Sequence, residues 1–383
     1  MSVSATPRTR EYVQTDGLQL WELYAKAFGP TASAAFRLRW RWEFERSPAL
    51  QRYANLLAEQ DHRLVAHLGR LSVRLSLRDS LVPAVFLTDL MADPGGAGVL
   101  VLELVGRCLR EPPVVLHFGG TLATRRILRR MGMRPLPLGE ILLRVERPAG
   151  ALAALAHRRL AAKPGLRKLA PRWLFAPPGA LIAPICARLY RWGRRLSAGS
   201  YEITEVPDFD ERFDDLWQAM RGQCPVMCAR DRAFLAWRYG EAPAGRYLVL
   251  TATRPDGTLA AASVLTQVSV GPARYGKFME CLYRDDDALA ALINASLAAF
   301  RSMQVDMIVS VGLSRRVREL LRAVGFRHYR ERSFMLKSNL GQTVDALLSD
   351  ARGWYVSPGD GDEDFAENLG DHGAPGALSR FSA

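Results

Sequence analysis

Two junctions where a strand-like stretch gives way to a helical one carry the residue types that could hold an anion. The first, residues 94–100, reads PGGAGVL and offers Gly95, Gly96, Ala97, Gly98 and Val99. Glycine lets successive amides turn toward one point, and the unpaired amides of a helix N-terminus favour negative charge. A phosphate-bearing ligand fits such a loop, as does an ordinary strand-to-helix turn. The second junction, residues 283–287, reads YRDDD. Three carboxylates repel a phosphate there, and Asp286 or Asp287 is expected to cap the helix instead. Trp40, Trp42, Trp237 and Tyr239 suit an aromatic wall for a sugar or acyl group, with Arg41 and Arg238 beside them for a carboxylate. The same aromatics equally suit packing of a helix on a sheet. Five scattered cysteines, including Cys224 and Cys228 without a second pair or nearby His, read as free thiols rather than a zinc site. The acidic C-terminal stretch lacks the ligand spacing of a calcium loop, so no metal is expected. It is either a disordered end or a segment whose Asp360 and Asp362 fold back toward a basic surface.

These residues sit in a chain that repeats itself. Trp21 recurs as Trp217, Trp40 as Trp237 and Gly132 as Gly325, at offsets of 196, 197 and 193 residues. The repeat is domain-sized, far longer than a solenoid unit. Each half reads β–α–β–β–β–α–β–α–β: alternating runs for strands, helices over 99–110 and 286–302, and a basic amphipathic helix ending at Gly132 or Gly325 as C′ glycine. Asp256 and Gly257 form a hairpin turn signal. The expected organisation is an N-terminal domain over 1–147, a linker or helical insertion over 148–199, a C-terminal domain over 200–345 and an acidic tail over 346–383. At this length either half is large enough to bury its own core.

The net charge of +13 belongs to the linker. From Arg147 through Ser200 there are eleven Lys and Arg and no Asp or Glu, so the rest of the chain is near neutral. The apolar run inside it is broken by Pro177, Pro178 and Pro184 and is too short to span a bilayer. Flanked by arginines and tryptophans, 148–199 suits contact with an anionic membrane surface, or a helical hairpin covering one half. No aromatic-basic platform or groove-reading helix supports nucleic-acid binding. The N-terminus has no apolar core of a signal peptide, which points to a cytoplasmic, membrane-peripheral protein.

The element order, the junction after Asp93 and Pro94, and the helices ending in MGMR and VGFR resemble the GNAT (GCN5-related N-acetyltransferase) fold. The pairing of two such halves, WRY ahead of a Pro, and the tail WYVSPGDGDEDF look like bacterial double-GNAT-like proteins associated with exopolysaccharide and cell-envelope synthesis. The resemblance implies a mixed α/β fold of two tandem GNAT-like domains, each a mostly antiparallel sheet flanked by helices. It also implies an acyltransferase that moves an acyl group from acetyl-CoA or another acyl-CoA to an amine or hydroxyl of a sugar or envelope precursor. The Gly95 to Val99 loop would take the pyrophosphate, although the family's Arg or Gln is missing and Leu100 replaces a small residue. In that fold a fourth-strand amide polarises the thioester carbonyl, and a nearby carboxylate acts as base through water; the candidates are Asp89 and Glu280. Asp89 equally suits a strand-end contact. The usual tyrosine acid is replaced by Arg129 and Arg322, which leaves His117 as a substitute or as a hydrogen-bonded core histidine. Two alternatives follow from the same resemblance: an aminoacyl-tRNA-dependent transferase of the peptidoglycan-bridge type, the one case in which tRNA would be a partner, or a catalytically inactive scaffold in envelope polysaccharide synthesis.

Overall fold

A computed structural model describes residues 7–49, 52–93, 97–152, 195–243 and 246–361. Gly95, Gly96, most of the basic linker and the tail from Asp362 onward lie outside the described residues.

One sheet runs through the described chain. In the first half its strands are β1 (Arg8–Glu11), β2 (Leu56–Gln60), β3 (Arg63–Leu77), β4 (Ser80–Ala92), β5 (Val114–Phe118) and β6 (Arg134–Val145). In the second they are β7 (Glu202–Val206), β8 (Val226–Cys228), β9 (Tyr247–Thr253), β10 (Leu259–Val270), β11 (Ala273–Tyr283), β12 (Met307–Val311), β13 (Arg327–Ser338) and β14 (Trp354–Tyr355). The order β1-β2-β3-β4-β5-β13-β6-β12-β11-β10-β9-β7 shows that the two halves exchange their closing strands. β6 pairs with β12 and β13 with β5, both antiparallel, and β6 and β13 pair with each other across the centre. Each closing strand follows a helix, Leu122–Arg130 or Arg315–Ala323, that ends at the expected glycine. Gly132 and Gly325 both hold left-handed φ, near 96° and 99°.

The exchange bears on the core. The largest buried apolar cluster extends from Leu20 to Val356 and takes side chains from both halves, so the core is shared where the sequence suggested one per half. On the other face of the first half, the helix Gly98–Arg110 presents Leu100, Val101, Leu104, Val105, Cys108 and Leu109. That spacing forms one apolar stripe, and it packs on Leu68, Leu87 and Val115 of the sheet.

The repeated tryptophans meet where the halves join. Trp42 and Trp237 stack with ring centroids 4.6 Å apart and planes 14° from parallel. Each indole N–H donates to the other residue's carbonyl, at 2.8 and 2.9 Å. Both lie in π-helical turns, Arg41–Glu45 and Ala236–Gly240, at the second position. This reciprocity makes Trp42, not Trp40, the counterpart of Trp237, and corrects the sequence register from 197 to 195. Glu43 is then the counterpart of Arg238, and Phe44 of Tyr239.

Candidate functional site

Each half contains a pair of parallel strands that part company. β4 and β5 are paired from Ala84↔Val114 to Phe86↔Leu116, after which β4 runs on to Ala92. β11 and β12 are paired from Tyr275↔Met307 to Phe278↔Ser310, after which β11 runs on to Tyr283. An irregularity in register falls just past each parting, opposite the step His67/Gly69 in β3 and Val264/Leu265 in β10. Parting strands leave backbone amides that no neighbouring strand takes up, which is what a ligand wedge needs.

Asp89 and His117 border the first wedge. His117, one residue past the last β4–β5 pair, is 5% exposed, and its Nδ1 lies 3.0 Å from the Leu87 carbonyl. A carbonyl only accepts, so Nδ1 carries the proton. Gly120, with φ near 76°, lies so close to the imidazole that a Cβ would run into Nε2. His117 therefore ties β5 to β4 as a hydrogen-bonded core histidine. Asp89 sits at the register irregularity with φ near 43°, and its carboxylate is held by Arg39. Arg39 also holds Glu43, at 2.9 Å. The Asp89 carbonyl accepts from Nδ1 of His67, a buried histidine that the sequence reading passed over. Burial pushes the pKa of His67 down to about 3, with the nearby Arg39 charge adding to it and the Asp89 carbonyl opposing it. The loop that follows ends at Ala97, which caps the helix Gly98–Arg110 without any side-chain hydrogen bond and with no acidic residue in the first turn. A Cβ on Gly98 would meet nothing within 4 Å, and Val99 is 80% exposed. Among the described residues no side chain caps this helix terminus, and its dipole favours an anion there.

The second wedge is filled by the chain itself. Residues 354–361 return between the parting ends of β11 and β12. The Tyr355 hydroxyl accepts from the Cys281 amide at 2.9 Å and donates to Glu280 Oε2 at 2.6 Å. The Val356 carbonyl accepts from the Leu313 amide at 2.5 Å, just past β12. Glu280 is fully buried, and its Oε1 receives Arg230 Nε at 2.8 Å, the Tyr239 hydroxyl at 2.8 Å and the Ser357 hydroxyl at 2.7 Å. Arg230 reaches on to Asp360 at 2.7 Å. Burial works against the Arg230 charge, but Asp360 and Glu280 more than offset it and hold its pKa well above the ordinary value. Burial, reinforced by Glu280, also pushes the Tyr355 phenol well up. Glu280 is thus a structural latch and not an accessible base, which corrects the sequence expectation. Asp360 does fold back, onto a buried arginine. The helix Asp286–Ser302 is capped by Asp285 rather than by Asp286 or Asp287. Its carboxylate accepts from the Ala288 amide at 2.8 Å, and Arg254 holds the other oxygen at 2.6 Å. No free helix terminus remains there for a phosphate.

The proposed aromatic wall divides. Trp40 is 2% exposed and packs among Tyr12, Trp21, Phe36, Phe44 and His67, so it belongs to the core. Arg41 is exposed on the surface. Trp237 and Arg238 line a small pocket at the seam, together with Trp42, Glu43 and Asp360. Arg238 is buried and donates to the carbonyls of Gly359 and Gly361 at 3.0 and 3.1 Å. Among the described residues, Glu140, His328 and Glu331 bring three ligand atoms together. Arg318 and Arg322 already occupy Glu140, however, with positive charge where a cation would sit.

No family model and no curated protein matches the sequence. Solved structures do match the fold. A probable N-acyltransferase from Enterococcus faecalis V583 aligns with a TM-score of 0.57 at 10% identity, over 87% of this chain and 72% of its own. A GCN5-related N-acetyltransferase from Anabaena variabilis aligns with a TM-score of 0.59 at 12% identity, over 87% and 73%. The N-myristoyltransferase of Saccharomyces cerevisiae with bound myristoyl-CoA aligns with a TM-score of 0.50 at 12% identity, over 88% and 83%. The chain has the fold of the GCN5-related N-acetyltransferases, a mixed α/β architecture built on a large, mostly antiparallel sheet flanked by helices.

Proposed function

We propose that the protein is an acyl-CoA-dependent acyltransferase whose donor site is the first wedge, acting on an amine or hydroxyl of a sugar or cell-envelope precursor. The observation that carries this reading is the terminus of the helix Gly98–Arg110, which no described side chain caps, beside the parting of β4 and β5. The pyrophosphate would lie on the amides of Gly95 to Val99, where the helix dipole favours its charge. The thioester would enter between β4 and β5, where amides of β4 beyond Phe86 can polarise its carbonyl. In the reaction the acceptor nitrogen or oxygen attacks the carbonyl carbon, the C–S bond breaks, and the proton lost by the acceptor ends on the CoA sulfur. Asp89 and His117 act here as positioning residues. Asp89 fixes Arg39 at the irregularity of β4, and His117 sets the width of the wedge through Leu87. The named neighbours, two N-acyltransferases and a myristoyl-CoA-bound enzyme, support acyl transfer from CoA. We assign the basic linker the role of contacting an anionic membrane surface. No helix among the described residues is long and apolar enough to cross a membrane.

The test is release of CoA thiol from acetyl-CoA and longer acyl-CoAs, with amino-sugar and sugar acceptors, alongside direct titration of the donor. Acceptor-dependent thiol release supports the reading. No donor binding at millimolar concentration sinks it, and turnover with charged tRNA instead would favour the aminoacyl-transfer alternative.

A further inference from the structure

The helices Leu122–Arg130 and Arg315–Ala323 hold the same place in the two halves, each ahead of its C′ glycine and closing strand. Both are rich in arginine, and the chain treats the two sets of charges differently. In the second half Arg315 pairs with Glu319 at 2.8 Å, Arg316 reaches Asp286 at 2.7 Å, and Arg318 and Arg322 share Glu140. In the first half Arg125, Arg126, Arg129 and Arg130 have no acidic partner among the described residues. Their own stretch of chain supplies none, since residues 112–139 contain no Asp or Glu. Arg125 and Arg129 are four residues apart, as are Arg126 and Arg130, so like charges repel along the helix. The dipole at the helix C-terminus favours the later two and does nothing for the earlier two.

Apolar side chains share this surface. Leu128 is buried against the sheet and Ile127 packs beside it, which turns Leu122 outward with Arg126 and Arg129 at i, i+4 and i+7. Leu122 is 50% exposed. The helix Gly98–Arg110 lies in the same cluster, and it also begins at the end of the parallel strands β4 and β5 where the wedge opens. Its outward residues at that end, Val99 and Leu102, are 80% and 46% exposed. Unneutralised arginines and exposed apolar side chains thus lie together beside the mouth of the first wedge.

We propose that this face docks on an anionic lipid bilayer, with the arginines on headgroup phosphates and Leu122, Val99 and Leu102 at the acyl boundary. A bilayer interface rewards both kinds of side chain. A soluble polyanion would match the arginines alone. Docked in this way, the wedge mouth faces the membrane, and a donor or acceptor with a lipid tail reaches it from the bilayer. That use of the wedge rests on the acyl-transfer reading; the lipid contact itself rests on neither that reading nor the basic linker.

The test is flotation of the full chain, without any acyl-CoA, on phosphatidylcholine vesicles with and without about a third of phosphatidylglycerol, at physiological salt. The anionic vesicles bind the chain at least about tenfold more tightly than the neutral ones. Replacing Arg126, Arg129 and Arg130 together by Gln weakens that binding at least about tenfold, and Leu122→Ser weakens it about threefold or more. The charge-matched change of Arg315, Arg316 and Arg322 to Gln leaves it within about twofold, because those arginines are already paired. Equal losses in the two triple variants would overturn the proposal, since net charge alone would then explain them. So would an unchanged first triple variant, with binding lost only on changing Arg158, Arg159 and Arg167 of the linker to Gln. Binding to heparin and to neither vesicle would assign the face to a soluble polyanion and overturn it as well. Should the first triple variant fail to fold, Arg126→Glu at a single exposed position decides between the same outcomes. Failure of the donor assignment leaves the flotation result interpretable, and the reverse also holds.

Discussion

The two wedges are built from the same elements and end in opposite states. Between β4 and β5 the parting strands adjoin a helix terminus that no described side chain caps, and their carboxylate is turned aside onto Arg39. Between β11 and β12 the corresponding space holds residues 354–361, the helix terminus is capped by Asp285, and the strand amide of Cys281 is already bonded to a phenol. The strand divergence alone therefore does not make a site. What decides is which hydrogen-bonding groups of the wedge the chain has already satisfied. Leaving such groups open costs stability, and satisfying them forfeits binding.

If the second wedge is a latch, breaking it should damage folding most. Glu280→Ala leaves Arg230 buried beside Asp360 alone, and unfolding in urea should show a loss of roughly 3–5 kcal/mol. A loss under about 1 kcal/mol would mean that the network is not holding the tail. Next comes Gly359→Ala. The added Cβ would run into the Tyr239 hydroxyl and the Glu280 carboxylate, and overpacking of this kind costs about 1–3 kcal/mol. The same substitution at Gly98, where space is open, should leave stability within about 0.5 kcal/mol.

Acid sensitivity distinguishes the first half through His67. Its folded-state pKa of about 3 lies below the unfolded value, so the unfolded chain binds the extra proton between pH 6.5 and 3. Stability is thus lost as pH falls below about 6.5, by about 1.4 kcal/mol per pH unit from this group. His67→Phe should flatten that limb of a stability–pH curve, and an unchanged slope would contradict the burial argument. A smaller effect belongs to the seam. Trp42→Phe and Trp237→Phe each remove one indole donor and should each cost about 1 kcal/mol. Clearly unequal costs would show that the seam is not energetically two-fold.

Much of this architecture was legible in the sequence, and the gaps have physical causes. The helix at Asp286–Ser302 and the strands flanking it follow from apolar period and an acidic first turn, which are local signals. The exchange of β6 and β13 was not legible, because each strand carries the same alternation whichever neighbour it pairs with. The Trp40–Trp42 ambiguity arose because two tryptophans two residues apart both fit the repeat, and only the π-turn register separates them. Arg230 was missed although it stands in the apolar context VMCARDRAF, where a buried charge needs partners. Of those partners Glu280 lies on β11, 50 residues away, and Ser357 lies in the returning segment, 127 residues away in sequence. A helix does begin at Gly98 of the first junction, but the sequence could not show that Asp89 and His117 are occupied by Arg39 and Leu87.

The central claim is that only the first wedge takes the donor. Calorimetric titration of the full chain with acetyl-CoA tests it most directly. The account predicts one site per chain, abolished or weakened at least about tenfold by Gly98→Asp and unaffected by Asp285→Gly. Two sites, or one site that follows Asp285 and ignores Gly98, would contradict it.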